Sequence, residues 1–125
     1  MRIHHVNLVV PTGLAEATAE FWSSVFDLQQ MPRQGLSGRP GAWLHCSEFE
    51  IHISERETLA HHDAHLALAV PDVATIASRC ISGGHPWEEA PALFGTGRGF
   101  TRDPGGNRVE VVQELESTLA HQLGQ

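Results

Sequence analysis

The chain has 125 residues, 15 of them acidic and 8 basic, and a formal net charge of −7. That length fits one compact domain of roughly 100–150 residues, and 41% apolar against 18% charged residues argues against disorder. The acidic balance also argues against a nucleic-acid or anionic-membrane surface, because both need clustered Lys and Arg. No apolar run nears the ~20 residues of a membrane span, and no secretory hydrophobic segment follows Met1. Cys46 and Cys80 lack C-x-x-C spacing. They predict free thiols and a cytoplasmic setting rather than a disulfide or thiolate-zinc fold. Nine histidines and no tyrosine stand out.

Residues 3–10 read as a strand, closed by Pro11-Thr12-Gly13. Leu14, Phe21, Val25 and Leu28 recur at helical spacing, with Thr12 as the expected N-cap. Five Gly and Pro residues between 29 and 41 predict a short strand and a loop. Residues 42–46 and 49–54 read as two strands joined by a tight turn, and 55–64 as a polar connector. The pattern then restarts. Residues 65–70 read as a strand, and Asp72 caps a helix whose apolar face is Val73, Ile76, Ala77, Cys80 and Ile81. Gly83-Gly84 stops it. Short strands are expected near 85–89 and 98–102, then the turn Asp103-Pro104-Gly105-Gly106-Asn107, then a strand over Arg108–Gln113. Residues 114–125 add a short helix or fray.

The order is βαβββ, twice. His5-Val6-Asn7-Leu8-Val9-Val10-Pro11 matches His65-Leu66-Ala67-Leu68-Ala69-Val70-Pro71 at an offset of 60. Ile51-His52-Ile53 matches Val109-Glu110-Val111 at an offset of 58. A repeat of about 60 residues that occurs only twice predicts a paired-module domain, not a solenoid.

Strand side chains alternate between two faces. Val6, Leu8 and Val10 oppose His5, Asn7 and Val9; Ile51 and Ile53 oppose Glu50, His52 and Ser54. Likewise Leu66, Leu68 and Val70 oppose His65, Ala67 and Ala69, and Val109 and Val111 oppose Arg108, Glu110 and Val112. The apolar faces are expected under helices, and the opposite faces collect His5, His52, His65 and Glu110. Imidazoles plus one carboxylate suit a divalent metal such as Zn, Fe, Mn, Co or Ni. His5, His65 and Glu110 are the expected ligands, and His52 is a fourth ligand, an acid/base group or a cleft wall. A lone strand histidine is more often structural, so the case rests on the joint arrangement.

With these residues in place, the sequence resembles the vicinal oxygen chelate superfamily. That group includes glyoxalase I, fosfomycin- and bleomycin-resistance proteins, methylmalonyl-CoA epimerase and extradiol dioxygenases. The resemblance spans about 3–113. It rests on His4-His5-Val6-Asn7-Leu8-Val9-Val10, on Phe21-Trp22, on the strand from His65 to Asp72, and on Asp103-Pro-Gly-Gly-Asn-Arg-Val-Glu110. It implies an α+β fold: two tandem βαβββ modules, about 3–54 and 65–113, forming open, barrel-like curved sheets with helices outside, within a single domain over 1–125. It also implies a metal at His5, His65 and Glu110, and aligns His52 with a fourth position where members with an isomerase site often carry Glu or Gln. Extradiol dioxygenases and fosfomycin transferases commonly place a tyrosine in the pocket, and this chain has none.

Around that site, Arg108 is expected either to bind a substrate carboxylate or phosphate, or to pair with Glu110 or lie in a solvated rim. Arg98 and Arg102 cluster with it in sequence. Trp43 and Trp87 line a pocket or pack in the core, and Asn7 shares the face of His5. His61-His62 reads as exposed loop, and 95–99 as a lid or turn. The expected function is a metal-dependent lyase, isomerase or dioxygenase. It would act on a small substrate with vicinal oxygens through Lewis-acid stabilisation of an oxyanion, with His52 and Glu110 as catalytic residues. The alternative is a metal-free, bleomycin-resistance-like protein that sequesters a drug or metabolite. The expected assembly is a C2 homodimer whose sites take His5 and His52 from one subunit and His65 and Glu110 from the other.

Overall fold

The computed structural model describes residues 2–33, 38–57, 64–93 and 96–114. Most of the connector, with His61 and His62, lies outside them, as do parts of the 29–41 loop and the 95–99 stretch and nearly all of the C-terminal segment. The chain divides into two units, Met1–Asp63 with Arg102–Asn107, and Ala64–Thr101 with Arg108–Gln125.

The first unit runs β1 (His5–Pro11), α1 (Ala15–Phe26), β2 (Gln29–Met31), β3 (Gly41–His45) and β4 (Glu50–Arg56). Its sheet order is β1-β4-β3-β2, with β1 parallel to β4 and the other pairs antiparallel. The alternation read in the sequence is what lets one face bury. Val10, Leu44, Ile51 and Ile53 are fully buried with Phe21, Trp22 and Val25 of α1, each worth about 1.5–3 kcal/mol of transfer free energy. Thr12 does not cap α1. Leu14 occupies the N-cap position without a side-chain bond, because the turn closes one residue pair later, through the Leu14 amide on the Pro11 carbonyl at 3.1 Å. The Ala15 amide is satisfied instead by Glu55 Oε2 of β4, at 3.2 Å.

The Asp103 turn belongs to this unit. Asp103 is buried and accepts from the Trp22 indole at 3.2 Å and from the Asn107 amide at 2.9 Å. The Asn107 side chain also donates to the Val9 carbonyl at 3.3 Å. Gly105 lies so close to Val10 that a Cβ would come within 2.2 Å of its methyl. Arg102 bonds the Gly106 carbonyl at 2.9 Å. Arg102 thus serves the turn and leaves the arginine cluster expected with Arg98 and Arg108.

The second unit repeats the plan: β5 (Leu66–Val70), α2 (Val73–Ser82), β6 (Glu88–Leu93), β7 (Thr96–Arg102) and β8 (Arg108–Gln113), in the order β5-β8-β7-β6. Strand β6 starts later than expected, and Trp87 precedes it, with its indole against the backbone of Gly99. Asp72 caps α2, accepting from the Ala74 amide at 3.1 Å and the Thr75 hydroxyl at 2.8 Å. The Val73 amide bonds Gln113 Oε1 of β8 at 3.0 Å, the counterpart of Ala15 on Glu55. Val73, Ile76 and Cys80 are buried as the periodicity predicts, but Ile81 is 67% exposed. The helix ends one residue after it, at Ser82.

The paired βαβββ modules and two open, four-stranded sheets expected from the sequence are therefore present. The duplication reaches the register. In the first unit Asn7 sits opposite His52, and in the second Ala67 sits opposite Glu110.

Candidate functional site

The face of the first sheet opposite α1 carries an aromatic column. His5 stacks on His52 with centroids 4.0 Å apart, and Trp43 stacks on the other side of His52 at 4.4 Å. Register puts Trp43 directly opposite His52, while His5, which is opposite Glu50, reaches His52 diagonally from two residues before its direct neighbour Asn7. His52 Nε2 lies 2.8 Å from Glu50 Oε1. That hydrogen bond holds the Glu50 carboxyl below its ordinary range, with help from the charges of His4, His52 and His5. His4 Nδ1 is 3.0 Å from His5 Nδ1. Asn7 accepts from the Ser54 hydroxyl at 2.9 Å. A cavity of about 200 Å³ opens nearby, at Arg2, His4, His45, Glu48 and Glu50.

The corresponding face of the second sheet is built on charge. His65 Nε2 is 2.9 Å from Glu110 Oε1, and Arg98 Nε is 3.0 Å from Glu110 Oε2. Arg98 is itself anchored on the Pro91 carbonyl at 3.0 Å. Burial alone would push the Glu110 carboxyl up, but the hydrogen bonds and charges of Arg98 and His65 outweigh it and hold the group below its ordinary value. Phe100 lies among them. The Arg108 guanidinium stands 3.9 Å from its ring centre and that of Arg98 4.9 Å, while His65 meets it edge-on at 5.8 Å.

The expected site residues thus come as two pairs, His5 with His52 in the first unit and His65 with Glu110 in the second. Arg108 is on Phe100, and Glu110's ion pair goes to Arg98. The sequence reading missed Arg98, Phe100 and Glu50 as site residues. Alternation along β7 is the signal that finds two of them, since Gly99 and Thr101 are buried while Arg98 and Phe100 face the other way. Trp43 sits against His52, whereas Trp87 bonds Glu89 at 2.9 Å.

Among the described residues, no group of three or more His, Cys, Asp or Glu side chains is gathered to hold a metal ion. The His65–Glu110 pair nevertheless fits half of such a set. Two donors bound at 2.0–2.2 Å and at right angles stand about 3 Å apart, and His65 Nε2 and Glu110 Oε1 are 2.9 Å apart. Arg98 occupies the other oxygen, which leaves Oε1 as the donor.

Residues 2–111 match the family model of the Glyoxalase/Bleomycin resistance protein/Dioxygenase superfamily. The chain belongs to that superfamily. A solved structure of a protein assigned to the glyoxalase family, from Bacillus anthracis, is 27% identical; the match covers 91% of this chain and 95% of that one, with a TM-score of 0.80. Lactoylglutathione lyase from Agrobacterium tumefaciens is 20% identical, covering 88% and 91%, at a TM-score of 0.67. A mutant of the fosfomycin resistance protein FosX from Listeria monocytogenes, complexed with Mn(II) and 1S,2S-dihydroxypropylphosphonic acid, is 19% identical, covering 95% of each chain, at 0.74. No curated protein matches the sequence. No described helix is long and apolar enough to cross a membrane.

Proposed function

We propose that the protein is a metal-dependent enzyme of this superfamily, acting on a small substrate with vicinal oxygens. The observation that carries the reading is the His65–Glu110 pair, whose donor atoms stand at ligand spacing on the second sheet. His5 completes the proposed ligand set, and Zn, Fe, Mn, Co and Ni all suit two imidazoles and a carboxylate. Mn(II) in the FosX complex supports a divalent ion. Such an ion supplies Lewis acidity, which favours an oxyanion developing on the substrate.

The chain's own residues have separate tasks. Arg98 keeps Glu110 ionised and fixed in orientation. Glu50 holds His52 through Nε2, leaving Nδ1 as the ring nitrogen that exchanges a proton with substrate, and the rings of His5 and Trp43 hold that imidazole flat. Trp43 and Asn7 flank His52 as substrate contacts. We further propose a C2 homodimer within which His5 and His52 of one subunit work with His65 and Glu110 of the other. A reducing, cytoplasmic setting suits two free cysteines.

One observation favours the second reading, a metal-free binding protein. Glu110 already has a cationic partner in Arg98, so its charge is balanced without a metal. Elemental analysis of untagged protein separates the two. Stoichiometric metal, lost in Glu110→Gln, supports the enzyme. No metal after reconstitution, or undiminished metal in Glu110→Gln, refutes it. Light scattering tests the dimer, and a monomer with full metal binding would refute that assembly.

A further inference from the structure

We infer that the face of the second sheet bearing Arg98, Phe100 and Arg108 is an oxyanion subsite, with Arg108 as the group that grips a carboxylate or phosphate on the substrate. The inference deepens the proposed function and rests on it for the claim that this face is the substrate side. Its own support lies in charge and geometry within one unit.

The first observation is the local charge. The chain as a whole carries −7. On this face, two guanidiniums, Arg98 and Arg108, stand with two carboxylates, Glu110 and, opposite Phe100 in the register, Glu88; the ion pair among them is Arg98 with Glu110. Arg108 is the guanidinium of this face that has no ion pair among the described residues.

The second observation is what holds Arg108. Among the described residues it makes no hydrogen bond or ion pair; its contact is with the Phe100 ring, 3.9 Å from the guanidinium carbon. Contact with an aromatic ring engages a guanidinium without using up its N–H donors. A side chain half-buried by such packing has lost much of its rotamer freedom already, so less is lost when a ligand binds. The planar fork matches the two oxygens of a carboxylate or phosphate.

The third is division of labour. Arg98 is spent on Glu110 and on the Pro91 carbonyl, and Arg102 on the Gly106 carbonyl of the turn. Arg108 is the member of the sequence cluster left for a ligand. His65 also meets Phe100, edge-on, so an oxyanion on Arg108 lies next to the proposed ligand pair. The substrate class that follows is a compact acid whose carboxylate or phosphate sits a few atoms from the oxygens to be chelated.

The test uses metal-free, EDTA-treated full-length protein, with inorganic phosphate and acetate as probes that carry no second oxygen-bearing carbon. Phosphate binding is followed by ³¹P line broadening and acetate binding by calorimetry. At least one probe should bind, with Arg108→Gln weakening it tenfold or more, Arg108→Lys less so, and Arg102→Gln not at all. In the unmutated protein the bound probe should slow phenylglyoxal modification of Arg108, read by peptide mass, which does not depend on a variant folding. Phosphate binding without acetate assigns the phosphate class, and the reverse the carboxylate class. Binding of neither probe overturns the inference, as does binding that Arg108→Gln leaves unchanged. Metal titration is run in parallel. Anion binding without metal binding sinks the enzyme reading and keeps the subsite; metal binding without anion binding does the opposite.

Discussion

Replacing Arg98 with Met keeps the length of the side chain and removes its charge. The Arg98 and Glu110 side chains are 14% and 11% exposed, so the carboxylate would be left nearly buried with His65 as its one remaining partner of the pair. Breaking a buried pair by deleting one partner costs about 3–5 kcal/mol. The remaining partner, His65, is 31% exposed and admits some water, which places the expected loss near the lower end, about 3 kcal/mol. Replacing Glu110 as well, in Arg98→Met/Glu110→Gln, removes the stranded charge. The double variant should recover about 2 kcal/mol of that loss, as coupling within a contacting pair allows. The assay is urea unfolding of metal-free protein at several pH values. In the unmutated chain the Glu110 carboxyl is held below its ordinary value. The folded state therefore binds that proton less readily than the unfolded state. Its contribution is full above the unfolded pKa, about 4.3, and is lost as pH falls through the lowered folded value. Without Arg98, burial pushes the group up, so this acid-side loss should shrink or reverse sign. A loss under about 1 kcal/mol for Arg98→Met, with no coupling to Glu110→Gln, would refute the claim that Arg98 holds the carboxylate; an error of that size exceeds the usual scatter between distant sites.

Other outcomes follow from single contacts. Thr18 is fully buried in α1 with no partner for its hydroxyl among the described residues, so Thr18→Val should raise stability by about 1 kcal/mol in the same unfolding assay. Gly105→Ala would drive a Cβ into Val10 and should lower stability by about 1–3 kcal/mol. Cys80 is buried and its thiol pushed up by that burial, with the Thr101 hydrogen bond opposing only in part, whereas Cys46 is half-exposed. Native protein at pH 8 should therefore show one reactive thiol with a disulfide reagent and the second only after unfolding.

What the sequence made readable was what depends on period and parity. The His-x-x-Leu-x-Val-Pro repeat, the Asp72 cap and the alternation in β1, β4, β5 and β8 all express local geometry, so they lead directly to the paired modules and to the faces of His5, His52, His65 and Glu110. Long-range satisfaction was hidden. Thr12 satisfies every local rule for an N-cap, yet Glu55 supplies the oxygen from forty residues away. Ile81 fits the helical stripe, but it stands in the last turn of α2 and is left exposed. Arg98 was grouped with Arg102 and Arg108 by nearness in sequence, although strand parity puts Arg98 with Phe100 and the turn takes Arg102.

The two halves share a backbone plan and diverge in what they mount on it. The first residue of each helix, Ala15 and Val73, is satisfied by a side-chain oxygen on the last strand of its own unit, Glu55 and Gln113, and each of those pairs is offset by 58. His52 and Glu110 occupy equivalent positions, each opposite the residue two beyond the first strand's histidine. Yet His52 is stacked between rings and bonded to a carboxylate, while Glu110 is bonded to an imidazole and a guanidinium. A duplicated site with two identical halves would present the same chemistry twice. Here one half offers an imidazole pair beside an acid, suited to moving a proton, and the other a carboxylate beside cations, suited to holding a ligand. The division of roles proposed for this protein follows from that difference at matched register, and so does the expectation that exchanging His52 for Glu and Glu110 for His would not preserve function.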